Sequence, residues 1–123
     1  MEGRVRMSLT ALFGDYSQLP EYSGITIADV DQVSLFGDRP INVAATRGSI
    51  AEMEVLLSAG ADLSSPGEHG CTPLHTAVEQ GAKEAVEWLI MNGANRFAIN
   101  DWGMSPSDLA AALGEGVIGE LLK

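Results

Sequence analysis

Apolar positions along this 123-residue chain fall into short helical stripes, broken at intervals by glycine and proline. Leu9, Leu12, Phe13, Tyr16 and Leu19 make one stripe, with Ser8 placed to cap it and Pro20 to stop it. Ala85, Val86, Leu89 and Ile90 make another, ending at Gly93. The spacing predicts helices over 8–19, 41–47, 51–59, 74–80, 84–92, 107–113 and 117–122. Ile25 and Ile27 alternate as a short strand would, and the residues after them are expected to form a hairpin-like loop. Met1 to Arg6 reads as a frayed end.

The breaks are periodic. Pro40, Pro73 and Pro106 stand 33 residues apart, as do Gly37, Gly70 and Gly103, and Ala44, Ala77 and Ala110. Gly48, Gly81 and Gly114 keep the same phase, as do Leu56, Leu89 and Leu122, and Gly93 repeats Gly60. A period of this size marks stacked helical repeats. Proline at the first turn of a helix loses nothing, because that N–H has no partner in the helix. Two helices this short are marginal in isolation and gain stability by stacking on their neighbours.

The segment GCTPLHTAVEQGAKEAVEWLIMNGAN, from Gly70 to Asn95, resembles the ankyrin repeat: Gly-x-Thr-Pro-Leu-His-x-Ala, a glycine, then an apolar helix ending Gly-Ala-Asp/Asn. Gly37 to Asp62 matches with two departures, Arg39 in place of threonine and Asn42 in place of histidine. Gly103 to Lys123 is a weaker copy in which Ser107 replaces leucine, and Gly116 and Gly119 weaken the second helix. The resemblance implies an all-α ankyrin-repeat solenoid of stacked helix-turn-helix units. Residues 1–36 would supply an N-terminal capping helix and first loop, and 37–69, 70–102 and 103–123 three repeats, forming one domain with the cap. It further implies that His75 ties the start of its helix to the Thr72 hydroxyl and nearby backbone.

Charge narrows the choice of partner. Seven basic against 17 acidic residues give a formal net charge of −10. That opposes non-specific binding to nucleic acid, where cations must displace the counterions of phosphate, and it favours a basic protein or simple solubility. Between Met7 and Asp38 stand Asp15, Glu21, Asp29, Asp31 and Asp38, with no lysine or arginine. Such a block is either a solvated surface or a docking surface for a cationic partner. The first helix lacks the basic face an interfacial helix needs, and no stretch is long enough to span a bilayer, so no membrane partner is expected. MEGRVRMSLTALFG has no apolar run of secretory length, and one cysteine forms no internal disulfide. A cytoplasmic protein, monomeric when alone, is the expectation.

His69, Cys71 and His75 are the only histidine and cysteine residues. Their spacing would suit three zinc ligands, with Glu68 as a fourth, but the repeat pattern already accounts for His75. Nothing marks Cys71 as a nucleophile with a lowered thiol pKa. The sequence shows no Ser-His-acid set, phosphate loop or carboxylate pair. The expectation is therefore no enzyme, no metal and no cofactor.

What remains is surface. The resemblance implies a concave binding strip made of loop tips and the exposed faces of the first helices. Phe36, His69 and Trp102 occupy equivalent tip positions 33 residues apart, and aromatic residues are enriched among interface hot spots. Beside them stand Leu35, Glu68 and Asp101, with Thr46, Arg47, Glu79 and Gln80 on the first helices. Phe36, Asp38, Arg47, Glu68, His69, Glu79, Gln80, Asp101 and Trp102 are the candidate protein-binding residues. The plainer alternative folds Phe36 and Trp102 back on their own loops. Trp88, on a second helix, reads as packing. The layout also resembles small bacterial ankyrin proteins, some of which neutralise toxins encoded beside them; an immunity protein against a basic toxin domain is the narrower expectation. A non-inhibitory scaffold for cellular proteins is the alternative, and a metal-binding protein a more distant one.

Overall fold

A computed structural model describes residues 7–123; the Met1–Arg6 segment lies outside the described residues. Seven helices follow one another: α1 (Leu9–Tyr16), α2 (Pro40–Thr46), α3 (Ile50–Ser58), α4 (Pro73–Glu79), α5 (Lys83–Met91), α6 (Pro106–Leu113) and α7 (Gly116–Leu121). Short 3-10 turns at Pro20–Tyr22 and Glu68–Gly70 complete the regular structure. Among the described residues there is no strand, so the all-α expectation holds. The strand-like reading of Ile25 and Ile27 is corrected: both lie in irregular chain, half-buried against the core.

The first helix of each unit begins at its proline, one residue earlier than the spacing predicted. Helix α1 ends at Tyr16, three residues short of the expected limit, because Pro20 holds Leu19 extended and the chain tightens before reaching it. The Leu19 and Gln18 amides accordingly bond three residues back, to Tyr16 and Asp15.

The helices form two rows. Within each unit α2 packs on α3, α4 on α5 and α6 on α7; between units α2, α4 and α6 stack in one row. Helices α1, α3, α5 and α7 stack in the other. Ala44, Ala77 and Ala110 lie fully buried at equivalent places in the first row. Met53, Leu56, Val86 and Leu89 fill the space between rows. The turns joining each pair pass through Gly48, Gly81 and Gly114, all at positive φ, a conformation that a side chain would strain.

Helix α1 adheres to α3 through a polar clasp as well as through Leu12. The Tyr16 hydroxyl donates to Glu52 Oε1 at 2.5 Å, and burial, with that carboxylate beside it, pushes the phenol pKa up. Arg47 lies 4.9 Å over the Tyr16 ring and pairs with Asp15 at 2.9 Å and Glu52 at 3.3 Å.

Candidate binding surface

The first helices all start with the same hydrogen bond, made by three different side chains. Asn42 Oδ1 accepts from the Arg39 N–H at 2.7 Å, His75 Nδ1 from Thr72 N–H at 3.1 Å, and Asp108 Oδ2 from Ser105 N–H at 3.0 Å. The Asn42 departure from the repeat pattern therefore keeps the function of the position. Arg39, lacking a side-chain acceptor, cannot return the bond, whereas Thr72 and Ser105 accept from the third helical residue. Because the Thr72 amide donates to Nδ1, the proton of a neutral His75 sits on Nε2 and is donated to the Met104 carbonyl at 2.8 Å. Burial holds the His75 pKa below its usual value, with the Met104 bond acting the other way. Both ring nitrogens are thus committed to the protein, which leaves neither lone pair for a metal. The Cys71 thiol is pushed up by burial; the Asn100 hydrogen bond lowers it, and Glu79, Asp101 and Asp38 raise it further. A thiolate is disfavoured there.

With the helix starts fixed, the tips between repeats take a common form. Ser34, Gly67 and Asn100 occupy equivalent places, and their N–H groups donate to the carbonyls of Asp38, Cys71 and Met104 at 2.8, 2.8 and 3.0 Å. In the first tip the Ser34 hydroxyl accepts from the Phe36 and Asp38 amides; in the third, Asn100 Oδ1 accepts from Trp102 and Met104. Gly67 has no side chain for this. The middle tip instead turns through a left-handed His69, the one non-glycine residue at positive φ among those described.

Each tip also leans on the element before it. The Leu35 N–H donates to the Glu21 carbonyl at 2.7 Å, Glu68 N–H to Asp38 Oδ1 at 2.8 Å, and Asp101 N–H to the His69 carbonyl at 3.0 Å. The middle bond requires Gly67, since a β-carbon there would strike the Asp38 carboxylate. This stitching was missed in the sequence. The signal available was the equivalence of Ser34, Gly67 and Asn100.

These bonds set out the surface. A hollow of about 200 Å³ opens between the tips and the first helices, lined by Asp38, Glu68, His69, Glu79, Gln80 and Trp102 among the candidates, with Thr46, Cys71 and Thr76. Trp102 is 63% exposed, and its ring tilts at 45° to the His69 ring with centroids 4.7 Å apart. Phe36, 53% exposed, and Asp101 lie outside this lining. Neither Phe36 nor Trp102 is buried against its own loop. Arg47 is held by its two carboxylates at the α1 clasp. Trp88 is half-buried against the core.

The sequence matches the family described as ankyrin repeats (3 copies) over residues 8–101, a stretch that takes in α1. No curated protein matches the chain. Among the described residues, no helix is long and apolar enough to cross a membrane. The matched stretch, the paired helices in two rows and the 33-residue register of caps and tips agree: the chain belongs to the ankyrin-repeat family, whose members serve as protein-interaction modules.

Proposed function

We propose that the repeats over 37–123, closed at one end by residues 1–36, bind a basic protein along the strip of tips and first helices and thereby neutralise it. The observation that carries this reading is the hollow bordered by Trp102: an exposed aromatic anchor shares its lining with three carboxylates and no lysine or arginine. Aromatic side chains at the centre of an interface supply much of its affinity, while surrounding charge orients and accelerates the encounter. A toxin domain with a cationic catalytic face, such as a nuclease, is the partner class this surface would suit. Asp29, Asp31 and Asp38 would extend the negative field along the strip, and Phe36 and Asp101 would widen the contact.

A scaffold that joins two proteins is the second reading. It draws on an apolar hollow of about 350 Å³ on the second-helix face, lined by Glu87, Ile90, Met91 and Leu121. Met91 is 84% exposed there.

The experiment is co-expression with the product of the adjacent reading frame, scored by growth and by binding kinetics of the purified pair. Trp102→Ala should leave association unchanged and cost about 2 kcal/mol through faster dissociation. Glu68→Lys should slow association and weaken its salt dependence. Asp38 is the poorer probe, because its carboxylate holds the Glu68 amide. Partner contacts confined to the second-helix face around Glu52, Lys83 and Trp88, with the tips left in solvent, would overturn the placement. Undiminished protection by both variants would overturn the neutralising role.

A further inference from the structure

Within that surface, one feature has the size and chemistry of a side-chain receptor. The hollow between the second and third tips, at about 200 Å³, is smaller than the roughly 300 Å³ at which pockets for whole small ligands begin. It would hold about six or seven waters, the volume of a long side chain rather than of a metabolite. Its lining is mixed in kind. The tilted pair of Trp102 and His69 supplies aromatic surface to the lining, and Glu68, Glu79 and Asp38 supply carboxylates, with Gln80, Thr46 and Thr76 beside them.

We propose that this hollow seats one arginine side chain of the partner, its guanidinium plane against the Trp102–His69 pair and its N–H groups directed to the Glu68 and Glu79 carboxylates. This inference rests on the reading that a basic protein docks on the strip. Arginine fits better than lysine for two reasons: its planar, weakly hydrated head stacks on aromatic faces, and its fixed fork of donors can bond carboxylates on two sides at once. The carboxylates are free to take such bonds. The Glu79 carboxylate has no hydrogen bond or ion pair among the described residues, and that of Glu68 is 3.6 Å from the exposed His69 ring, which is a partner only when protonated. Asp38 spends one oxygen on the Glu68 amide and so contributes field more than contact.

Burial is the main cause that pushes up both Glu21 and the Cys71 thiol, with the Ser34 and Asn100 hydrogen bonds acting the other way; nearby carboxylates add to the rise, Asp38 and Glu68 at Glu21 and Glu79, Asp101 and Asp38 at Cys71. The rigid tips also mean that little order has to be created on binding. Backbone bonds from Asp101 to His69 and from Gly103 to Asn100 hold the Trp102 loop in place before any partner arrives.

The test uses the whole 123-residue chain, isotopically labelled, and two blocked pentapeptides, Gly-Ala-Arg-Ala-Gly and its citrulline counterpart. Citrulline keeps the shape of the side chain and removes its charge. The expected result is a saturable shift of the Trp102 indole N–H and the Glu79 amide with the arginine peptide, and binding about tenfold weaker with citrulline. Trp102→Ala and Glu79→Gln, both at exposed positions, should each reduce arginine-peptide binding while leaving the melting temperature in place. Equal binding of the two peptides would overturn the proposal. Shifts confined to the first loop around Asp29 and Asp31, with Trp102 silent, would overturn the receptor but leave a basic partner in place. No saturable shift anywhere at millimolar peptide would overturn both.

Discussion

Replacing Gly67 by alanine tests whether the tips are stitched as described. The φ of Gly67 is −113°, outside the left-handed region, and the expected effect is worked from its contacts. A β-carbon there meets Asp38 Oδ1, lies 2.8 Å from Asn42 Cγ and 3.0 Å from Asn42 Oδ1. The Asp38 carboxylate can swing away, but it then releases the Glu68 N–H. That bond is partly exposed, so its loss costs about 1 kcal/mol. Asn42 cannot swing. It is buried and pinned by two bonds, from the Arg39 N–H and to the Ser65 carbonyl at 2.7 and 2.9 Å, and straining them costs about 2 kcal/mol. Alanine returns roughly 0.7 kcal/mol by restricting the unfolded chain. The net loss is about 2 kcal/mol, or roughly 8 °C in melting temperature for a domain of this size. Urea unfolding followed by circular dichroism measures it directly. In an Asp38→Ala background the same substitution should cost about 1 kcal/mol less, since the first clash and the bond it breaks are already gone. A Gly67→Ala protein as stable as the parent, or a cycle in which the two losses simply add, would refute the reasoning.

Two further outcomes follow from the titrating groups. His75 has a folded pKa below the ordinary 6.5, so its stabilising contribution is complete above that value and is lost as pH falls through the folded pKa. His75→Asn, which copies the residue that makes the equivalent bond in the first repeat, should remove this loss as pH falls below the ordinary 6.5, read in urea midpoints; an unchanged pH slope would count against it. Glu21 has a folded pKa above the ordinary 4.5, so its proton stabilises the fold, and that stability is lost as pH rises through the folded value. Glu21→Gln keeps an acceptor for the Ser34 hydroxyl and should raise the melting temperature at neutral pH; a decrease there would contradict the burial argument.

The stack of repeats was legible because its constraints are local. Pro40, Pro73 and Pro106 each sit at a helix start, and the glycines 33 residues apart sit where the backbone turns left-handed. The end of α1 was less legible: Leu19 continues the apolar stripe, yet the proline after it governs the backbone. What sequence could not show is which groups meet across the stack. Arg47 and Asp15 are separated by 32 residues, and Gly67 is held clear for a carboxylate 29 positions earlier. Nor does the pattern reveal that asparagine, histidine and aspartate serve one purpose at Asn42, His75 and Asp108; what they share is a lone pair at the right distance. On the surface, equal spacing suggested a row of three equivalent rings. The left-handed turn at His69 accompanies a pairing of its ring with Trp102, while Phe36 stands outside the hollow they line.

The stitching of the tips has a direction. In every case the later tip supplies the N–H and the earlier element supplies the oxygen: Glu21 for Leu35, Asp38 for Glu68, His69 for Asp101. A bare carbonyl is readily satisfied by water, whereas an amide deprived of its acceptor is more costly to leave unpaired. Among these tip amides, shortening the array from its C-terminal end therefore abandons only acceptors, and shortening it from the N-terminal end strands a donor; the His75 side chain, which donates forward to the Met104 carbonyl, runs the other way. A ribosome delivers the chain in the favourable sense: each tip emerges after the oxygen it needs has already been made.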